Sequence, residues 1–231
     1  MAAIVDVSLH EKQMEVYASR HRFKVVVAGR RWGKTALSKA MIMRAAKYPK
    51  ARIWYIAPTF RMAKQIMWDE MLEMVPKRWI KKINHSSLTI TLRNKTEIAL
   101  KGADRPDTLR GVALNFVVLD EFQDMKADVW VKVIRPTISS TGGGAMIIGT
   151  PKSFNYLYEL WKIGQRPEMQ LQGQWKSWQY ETATSPFIPT EEIEAARADM
   201  DPKSFEQEYL ASFSTMSGRV YYPFDRNLHV G

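Results

Sequence analysis

Short apolar runs alternate with amphipathic stretches along the first part of the chain. The runs FKVVVA, RIWYIA, NFVVLD and AMIIGT are rich in β-branched or other apolar residues and end at small or acidic ones, as buried strands do. Between the first two, residues 35–46 carry apolar positions at helical spacing, and TFRMAKQIMWDEM does the same after the second. Strands separated by helices predict an α/β fold with a mostly parallel central sheet and helices on both faces.

Apolar and polar residues alternate within positions 87–102, SLTITLRNKTEIALKG. The apolar positions share one face on either side of a turn at Asn94-Lys95. This pattern predicts an antiparallel hairpin added to the sheet. The apolar positions are Leu88, Ile90, Leu92, Ile98 and Leu100.

The pattern changes after Pro151, where tryptophan and glutamine cluster and two short helical segments follow. Thr190 and Asp201, the latter before a proline, are expected to cap these helices. We therefore expect a core domain over 1–180, a small helical lid or linker subdomain over 181–216, and a linker cut short over 217–231.

Composition narrows the class of protein. The chain has 231 residues, and 34 basic against 24 acidic residues give a net charge of +10, which suggests a nucleic-acid partner or simply a solvated basic surface. The absence of cysteine excludes disulfides and cysteine-ligated metals. The N-terminus does not resemble a signal peptide and no run is long enough to span a membrane, so we expect a protein that is neither secreted nor membrane-bound.

The stretch AGRRWGKT, residues 28–35, follows a predicted strand and opens a predicted helix. It matches the phosphate-binding pattern G-x-x-x-x-G-K-[ST], except that Ala28 replaces the first glycine and Gly29 follows it. In such loops the lysine, here Lys34, reaches the β- and γ-phosphates of ATP, and the hydroxyl of Thr35 binds Mg²⁺. The alternative is an ordinary strand-turn-helix without a ligand. The predicted nucleotide-binding residues are Gly29, Arg30, Arg31, Trp32, Gly33, Lys34, Thr35 and Ala36.

Two further strand ends complete a candidate ATP site. FVVLDE ends in adjacent carboxylates, of which Asp120 can hold Mg²⁺ and Glu121 can polarise the attacking water. MIIGTP ends in Thr150, which can sense the γ-phosphate, because ligands of such sheets lie at the carboxyl ends of the strands. Taken alone, each is explained as well by a solvated strand end or a plain turn. The four histidines are scattered, and no second carboxylate cluster suggests a nuclease site.

The chain resembles the ATPase domain of the large terminase subunit of tailed bacteriophages. Matching stretches run through nearly the whole chain in family order: AGRRWGKT, WYIAPTFRMAKQIMWDEM, KGADRPDTLRG, FVVLDEFQDMKADVWVKVIRPTISSTGG, IIGTPKSFNYLYELW, and TSPFIPTEEIEAA with FEQEYLASF. The resemblance implies a P-loop ATPase that moves double-stranded viral DNA into a capsid. It also implies a nuclease domain following near Gly231, so that this chain would not cut DNA.

The resemblance implies partners and further site residues. The partners are double-stranded DNA, the portal protein, the small terminase subunit and copies of the chain in a ring, commonly of five, although an isolated domain can be monomeric. The resemblance also implies that the protein is located in the host cytoplasm and, transiently, at the capsid portal. Arg30 or Arg31 is expected to act on phosphate within one subunit, Arg110 on a neighbour's ATP with Arg105 as the next candidate, and Gln13 on the adenine edge.

Two other functions are compatible with the same motifs. A helicase-type ATPase also carries a P-loop and an Asp-Glu pair, but it usually has a second similar domain, for which this chain has no room. A nucleotide-sensing module would bind ATP without turnover.

Overall fold

The computed structural model describes residues 8–213, whose strands form one eight-stranded sheet in the order β3-β4-β5-β2-β6-β7-β1-β8. The six strands from β5 to β8 in this order pair in parallel. β4 pairs antiparallel with both β5 and β3. The strands are β1 (Phe23–Ala28), β2 (Arg52–Ala57), β3 (Ile80–Asn84), β4 (Thr89–Leu92), β5 (Glu97–Gly102), β6 (Phe116–Leu119), β7 (Gly144–Gly149) and β8 (Trp175–Tyr180).

Helices cover both faces of this sheet. Two of them contain π-helical segments, Lys64–Trp68 between α3 and α4 and Val129–Ile134 before α5. The α-helices are α1 (Glu11–Ala18), α2 (Lys34–Ala46), α3 (Phe60–Ala63), α4 (Asp69–Met74), α5 (Arg135–Thr137), α6 (Tyr156–Gln165), α7 (Pro167–Leu171), α8 (Thr190–Asp199) and α9 (Pro202–Glu208). Within residues 8–213, no helix is long and apolar enough to cross a membrane.

Alternation along the central strands divides the hydrophobic core into two layers. In β1, Val26 belongs to the layer beneath α2, whereas Val25 and Val27 belong to the layer on the opposite face, which includes residues of α6. Every residue of β1 is buried, including Lys24, which explains why apolar residues occupy consecutive positions from Val25 to Ala28 rather than alternating with polar ones. The predicted core methionines Met67 and Met71 are fully buried.

The predicted fold class is confirmed, and so is the hairpin: Lys95 has a positive φ of 69° between β4 and β5. Two strands were missed, β3 and β8, which lie at the two edges of the sheet. Asp201 caps α9 as predicted by accepting from the amide of Ser204, but the prediction for Thr190 is wrong, because it is the first residue of α8 and makes no capping bond. The domain boundaries stay a prediction, and the linker over 217–231 lies outside the described residues.

Candidate functional site

Three adjacent parallel strands bring the three predicted segments together. β6, β7 and β1 are neighbours, so the residues after their carboxyl ends share one edge of the sheet. A cavity of about 790 Å³ opens there. Of the predicted site residues, it is lined by Arg30, Arg31, Gly33, Lys34, Thr35, Glu121 and Thr150.

The loop between β1 and α2 has the geometry of an anion cradle. Gly33 has φ 101°, which places it in the left-handed region, and α2 begins at Lys34 directly after it. A Cβ on Gly33 would meet Nε2 of Gln13 at 2.2 Å. A side chain at this position would therefore strain the backbone and would also displace the side-chain amide of Gln13. The free amides at the start of the thirteen-residue α2 favour a phosphate.

Lys34 is held inside the loop by three acceptors. Its Nζ donates to the carbonyls of Ala28 at 2.9 Å and Gly29 at 3.0 Å, and to Oγ1 of Thr150 at 2.9 Å. Burial lowers the pKa of Lys34, against the opposing negative charges of Glu121 and Asp120. The ammonium is thus positioned at the cavity wall, bonded to neutral oxygens that a phosphate oxygen can replace.

Asp120 is buried directly behind this lysine. Tyr55 Oη donates to its Oδ2 at 2.5 Å, and the amide of Glu121 donates to its Oδ1 at 2.9 Å. Burial first, and then the charge of Glu121, raises the pKa of Asp120 to about 6, although Tyr55 and Lys34 oppose this. The carboxyl group is therefore oriented at both oxygens before any ligand arrives.

Glu121 is a strained residue. Its backbone is left-handed, with φ 52° and ψ 43°, which is rare for a residue with a side chain and costs about 1–3 kcal/mol. Its Oε2 accepts from Nε2 of Gln123 at 2.5 Å. The strained turn and the amide together point the carboxylate into the cavity, where it can accept a proton from water.

The three predicted arginines occupy different environments. Arg30 forms an ion pair with Glu208, Nε to Oε2 at 2.5 Å, and Arg31 lines the cavity with a positive φ of 56°. Arg110 does not line the cavity; it is exposed and pairs with Asp107 at 3.0 Å.

Three other predicted residues lie behind the cavity wall. Gln13 is buried, and its amide donates to the carbonyl of Gly33 at 2.9 Å and accepts from the amide of His10 at 3.0 Å. The ring of Trp32 is fully buried and stacks on Tyr180 at 4.9 Å between centroids. Ala36 lies in the first turn of α2 and is not among the lining residues. Gln13 and Trp32 therefore hold the loop in shape with their side chains.

Mg²⁺ fits the oxygens that the site offers. Thr35, which carries a hydroxyl, lines the cavity. Asp120 is buried and does not line it, but each of its carboxyl oxygens keeps one lone pair beyond its hydrogen bond. Hydroxyl and carboxylate oxygens are the ligands Mg²⁺ takes, with water completing its shell. Within the described part of the chain, no group of three or more His, Asp or Glu is placed to hold a metal.

Several cavity residues were missed by sequence reasoning. Most of them come from segments far apart in the chain and belong to no phosphate-binding pattern, so no local signal identifies them. The exceptions follow the acidic pair or Thr150 by one to three residues and were within reach of sequence reasoning: Gln123, Asp124, Pro151 and Lys152. The missed residues are Met62, Ile66, Gln123, Asp124, Pro151, Lys152, Phe187, Ile188, Gln207 and Glu208.

Comparison with known proteins decides the family. The sequence model of the family described as terminase large subunit, T4-like virus type, N-terminal, matches residues 25–227. The chain belongs to this family. The large terminase subunit of Thermus virus P23-45 is 32% identical over 177 residues, which are 68% of this chain and 36% of that protein. This terminase chain thus spans about a third of that relative's length.

Solved terminase structures share the fold. The large terminase ATPase domain of Thermus phage P74-26 has a TM-score of 0.76 at 27% identity, covering 90% of this chain and 94% of that one. The large terminase of bacteriophage D6E, solved in complex with ADP, has a TM-score of 0.75. It covers 95% of this chain and 57% of its own, and at 16% identity it bears on the fold alone.

Proposed function

We propose that this terminase chain is an ATP-hydrolysing motor domain that translocates double-stranded viral DNA into a capsid. One observation carries the proposal: Lys34, Glu121 and Thr150, from three different segments, line one cavity at the carboxyl edge of the sheet. Support comes from the P74-26 relative, which is named a large terminase ATPase domain and which this chain covers almost completely.

The residues of the site have different proposed roles in hydrolysis. Lys34 leaves its carbonyl acceptors and neutralises the β- and γ-phosphates, while the amides of the loop hold the phosphate chain. Thr35 and Asp120 would hold Mg²⁺, which when bound neutralises charge on the phosphates. Glu121 accepts the proton of the attacking water, and the amide of Gln123 fixes that carboxylate. Thr150 exchanges its bond from Lys34 for the γ-phosphate and so reports its presence.

The arginines supply positive charge where negative charge develops on the phosphates during hydrolysis. Arg31, and Arg30 once it parts from Glu208, can reach phosphate within the same subunit, because both line the cavity. Arg110 would act on a neighbour's ATP, since it is exposed and lies outside its own cavity. A ring of subunits, commonly five, would bring Arg110 to the adjacent site. The portal protein and the small terminase subunit complete the proposed assembly, in the host cytoplasm at the capsid portal.

Phosphate release from ATP and Mg²⁺, measured with and without linear duplex DNA, tests this function. We expect turnover that rises with DNA and is lost in Lys34→Ala, because the phosphates lose their main side-chain cation. Exposed Lys126→Ala is the matched control and should behave as the wild type. Turnover that persists in Lys34→Ala would remove the loop from the mechanism.

The same preparation separates the two other functions. Strand separation of a duplex would favour a helicase-type ATPase. ATP binding with no turnover, with and without DNA, would favour a nucleotide-sensing module.

A further inference from the structure

The excess positive charge of this chain is concentrated in two short segments. Residues 47–50 and 74–96 hold eight of the 34 basic residues and no acidic residue, so the rest of the chain has 26 basic against 24 acidic residues. All eight basic side chains are exposed, and none forms an ion pair within residues 8–213. They are Lys47, Lys50, Lys77, Arg78, Lys81, Lys82, Arg93 and Lys95.

The fold joins these segments into one surface. The amide of Arg93 donates to the carbonyl of Trp79 at 2.8 Å, and its Nε donates to the carbonyl of Arg78 at 3.1 Å. On the other side, the amide of Lys50 donates to the carbonyl of Asn94 at 3.0 Å. β3, which contains Lys81 and Lys82, is the edge strand next to β4. We call the eight side chains the basic edge.

The basic edge is separate from the nucleotide cavity. None of its residues lines that cavity. Lys47 follows the carboxyl end of α2, whereas the phosphate-binding loop precedes its amino end. At a rise of 1.5 Å per residue, the thirteen residues of α2 place Lys47 about 20 Å from the phosphate-binding loop.

We propose that the basic edge is the surface on which this domain binds the phosphate backbone of duplex DNA. The inference rests on the proposed function, because translocation requires a grip that ignores base sequence. Exposed lysines and arginines without acidic partners, spread over strand, turn and loop, suit phosphates, which recur along any duplex and carry no sequence information. Tyr48, 69% exposed between Lys47 and Lys50, adds a hydroxyl donor for a phosphate oxygen.

Protection of the edge strand β3 against pairing with another sheet explains fewer of these residues than DNA binding does. Lysine on an edge strand discourages pairing with another sheet, and Lys81 and Lys82 fit that role. The other six cations lie outside β3, where no strand edge needs protection. They are on the short 3₁₀ helix before β3, in the turn between β4 and β5, and on the 47–50 loop.

Binding of a short linear duplex, measured as a function of salt concentration, tests the proposal. The test variants are Lys81→Gln with Lys82→Gln, and Arg93→Gln with Lys95→Gln. The control is Arg20→Gln with Arg166→Gln, which removes two exposed charges elsewhere. Each contact contributes about 0.9 to the slope of log affinity against log salt, so each test pair should lower that slope by about 2 and the control by none.

Two further measurements test whether a change in DNA binding comes from the lost charges rather than from a change in the protein's assembly. Lys81→Arg with Lys82→Arg keeps the charges and should bind as the wild type, and sedimentation should show every variant to be as monodisperse as the wild type. Hydrolysis without DNA should be unchanged in all of them, because the nucleotide cavity is untouched.

The outcomes separate the inference from the proposed function. Test pairs that bind DNA with the wild-type slope, in a protein whose hydrolysis still responds to DNA, would overturn the basic edge and leave the motor standing. A wild type that does not bind DNA would overturn both. Loss of binding to an acidic protein with unchanged DNA binding would assign the surface to a protein partner and overturn the inference.

Discussion

The buried carboxyl group of Asp120 makes the stability of the folded protein depend on pH. Its pKa is raised from 3.8 to about 6, so the folded protein disfavours the charged form. The cost is absent below about pH 4, grows as the pH rises, and is complete above about pH 6. Asp120 therefore makes the fold less stable at neutral pH than in mild acid, as expected of a carboxyl group held in the protein interior.

Asp120→Asn should stabilise the protein at neutral pH while removing hydrolysis. The neutral amide can still bond Tyr55, and relief of the buried charge is worth up to about 3 kcal/mol. Urea unfolding without nucleotide or Mg²⁺ at about pH 8 should show the gain, which should vanish near pH 4. Exposed Asp199→Asn is the control and should show neither. A mutant less stable than the wild type at both pH values would contradict this account.

Sequence reasoning at the scale of residues found groups with a fixed chemical pattern. Lys34, Asp120 and Thr150 all lie at the predicted sheet edge, because strand-end chemistry can be read locally. Glu208 could not be found this way. Its role depends on which segments meet across the cavity, because it lies 178 residues from Arg30, with which it pairs.

At the scale of elements, the end of α9 is hydrogen-bonded to the phosphate-binding loop. The amide of Arg30 donates to the carbonyl of Glu208 at 2.7 Å, and Oγ1 of Thr182 donates to the carbonyl of Arg30 at 2.8 Å. A Cβ on Gly29 would meet that Oγ1 at 2.4 Å, so glycine allows this close contact. Movement of α9 and a change in the loop are therefore mechanically linked.

Glu208→Gln should tighten ATP binding. The change removes a negative charge from the phosphate cavity and frees Arg30, but it keeps the size of the side chain. Because exposed ion pairs are worth about 0.2–1 kcal/mol, the gain should be no more than about fivefold. Calorimetry with ATP and ADP measures it, and Glu206→Gln, an exposed neighbour on α9, is the matched control. Weaker binding would show instead that the carboxylate is needed to hold the loop.

The elements missed from sequence were those at the edges of the sheet. β3 has only intermediate and exposed positions, and β8 mixes buried, intermediate and exposed ones. Both contain lysine rather than a run of β-branched residues, and β8 also contains glutamine and tryptophan. Such sequences pair because the neighbouring strand is present, and a local pattern carries little of that information. The buried central strands carry it in full, and they were found.

At the scale of the whole molecule, Arg110 is exposed and lies outside its own cavity, which is compatible with the proposed role on a neighbouring subunit's ATP. If Arg110 acts in trans, Arg110→Ala should bind ATP normally but lose about 10³-fold or more in rate in the assembled state. Mixing it with Glu121→Gln subunits should restore some hydrolysis, because a mixed interface pairs an intact Glu121 site with an intact neighbouring arginine.

The control for this experiment is Arg197→Ala, which removes another exposed arginine with an acidic partner three residues before it. It should keep full activity alone and in mixtures. Mixed assemblies that remain inactive, with larger losses in Arg30→Ala or Arg31→Ala, would place the acting arginine in the phosphate-binding loop.

The most direct test of ATP hydrolysis at this site is Glu121→Gln, with ATP binding and phosphate release measured on the same preparation. The amide keeps the size of the side chain and its strained position but cannot accept the proton of water. We predict ATP affinity close to that of the wild type and phosphate release reduced to background. Turnover at the wild-type rate would contradict the account, because another group would then activate the water.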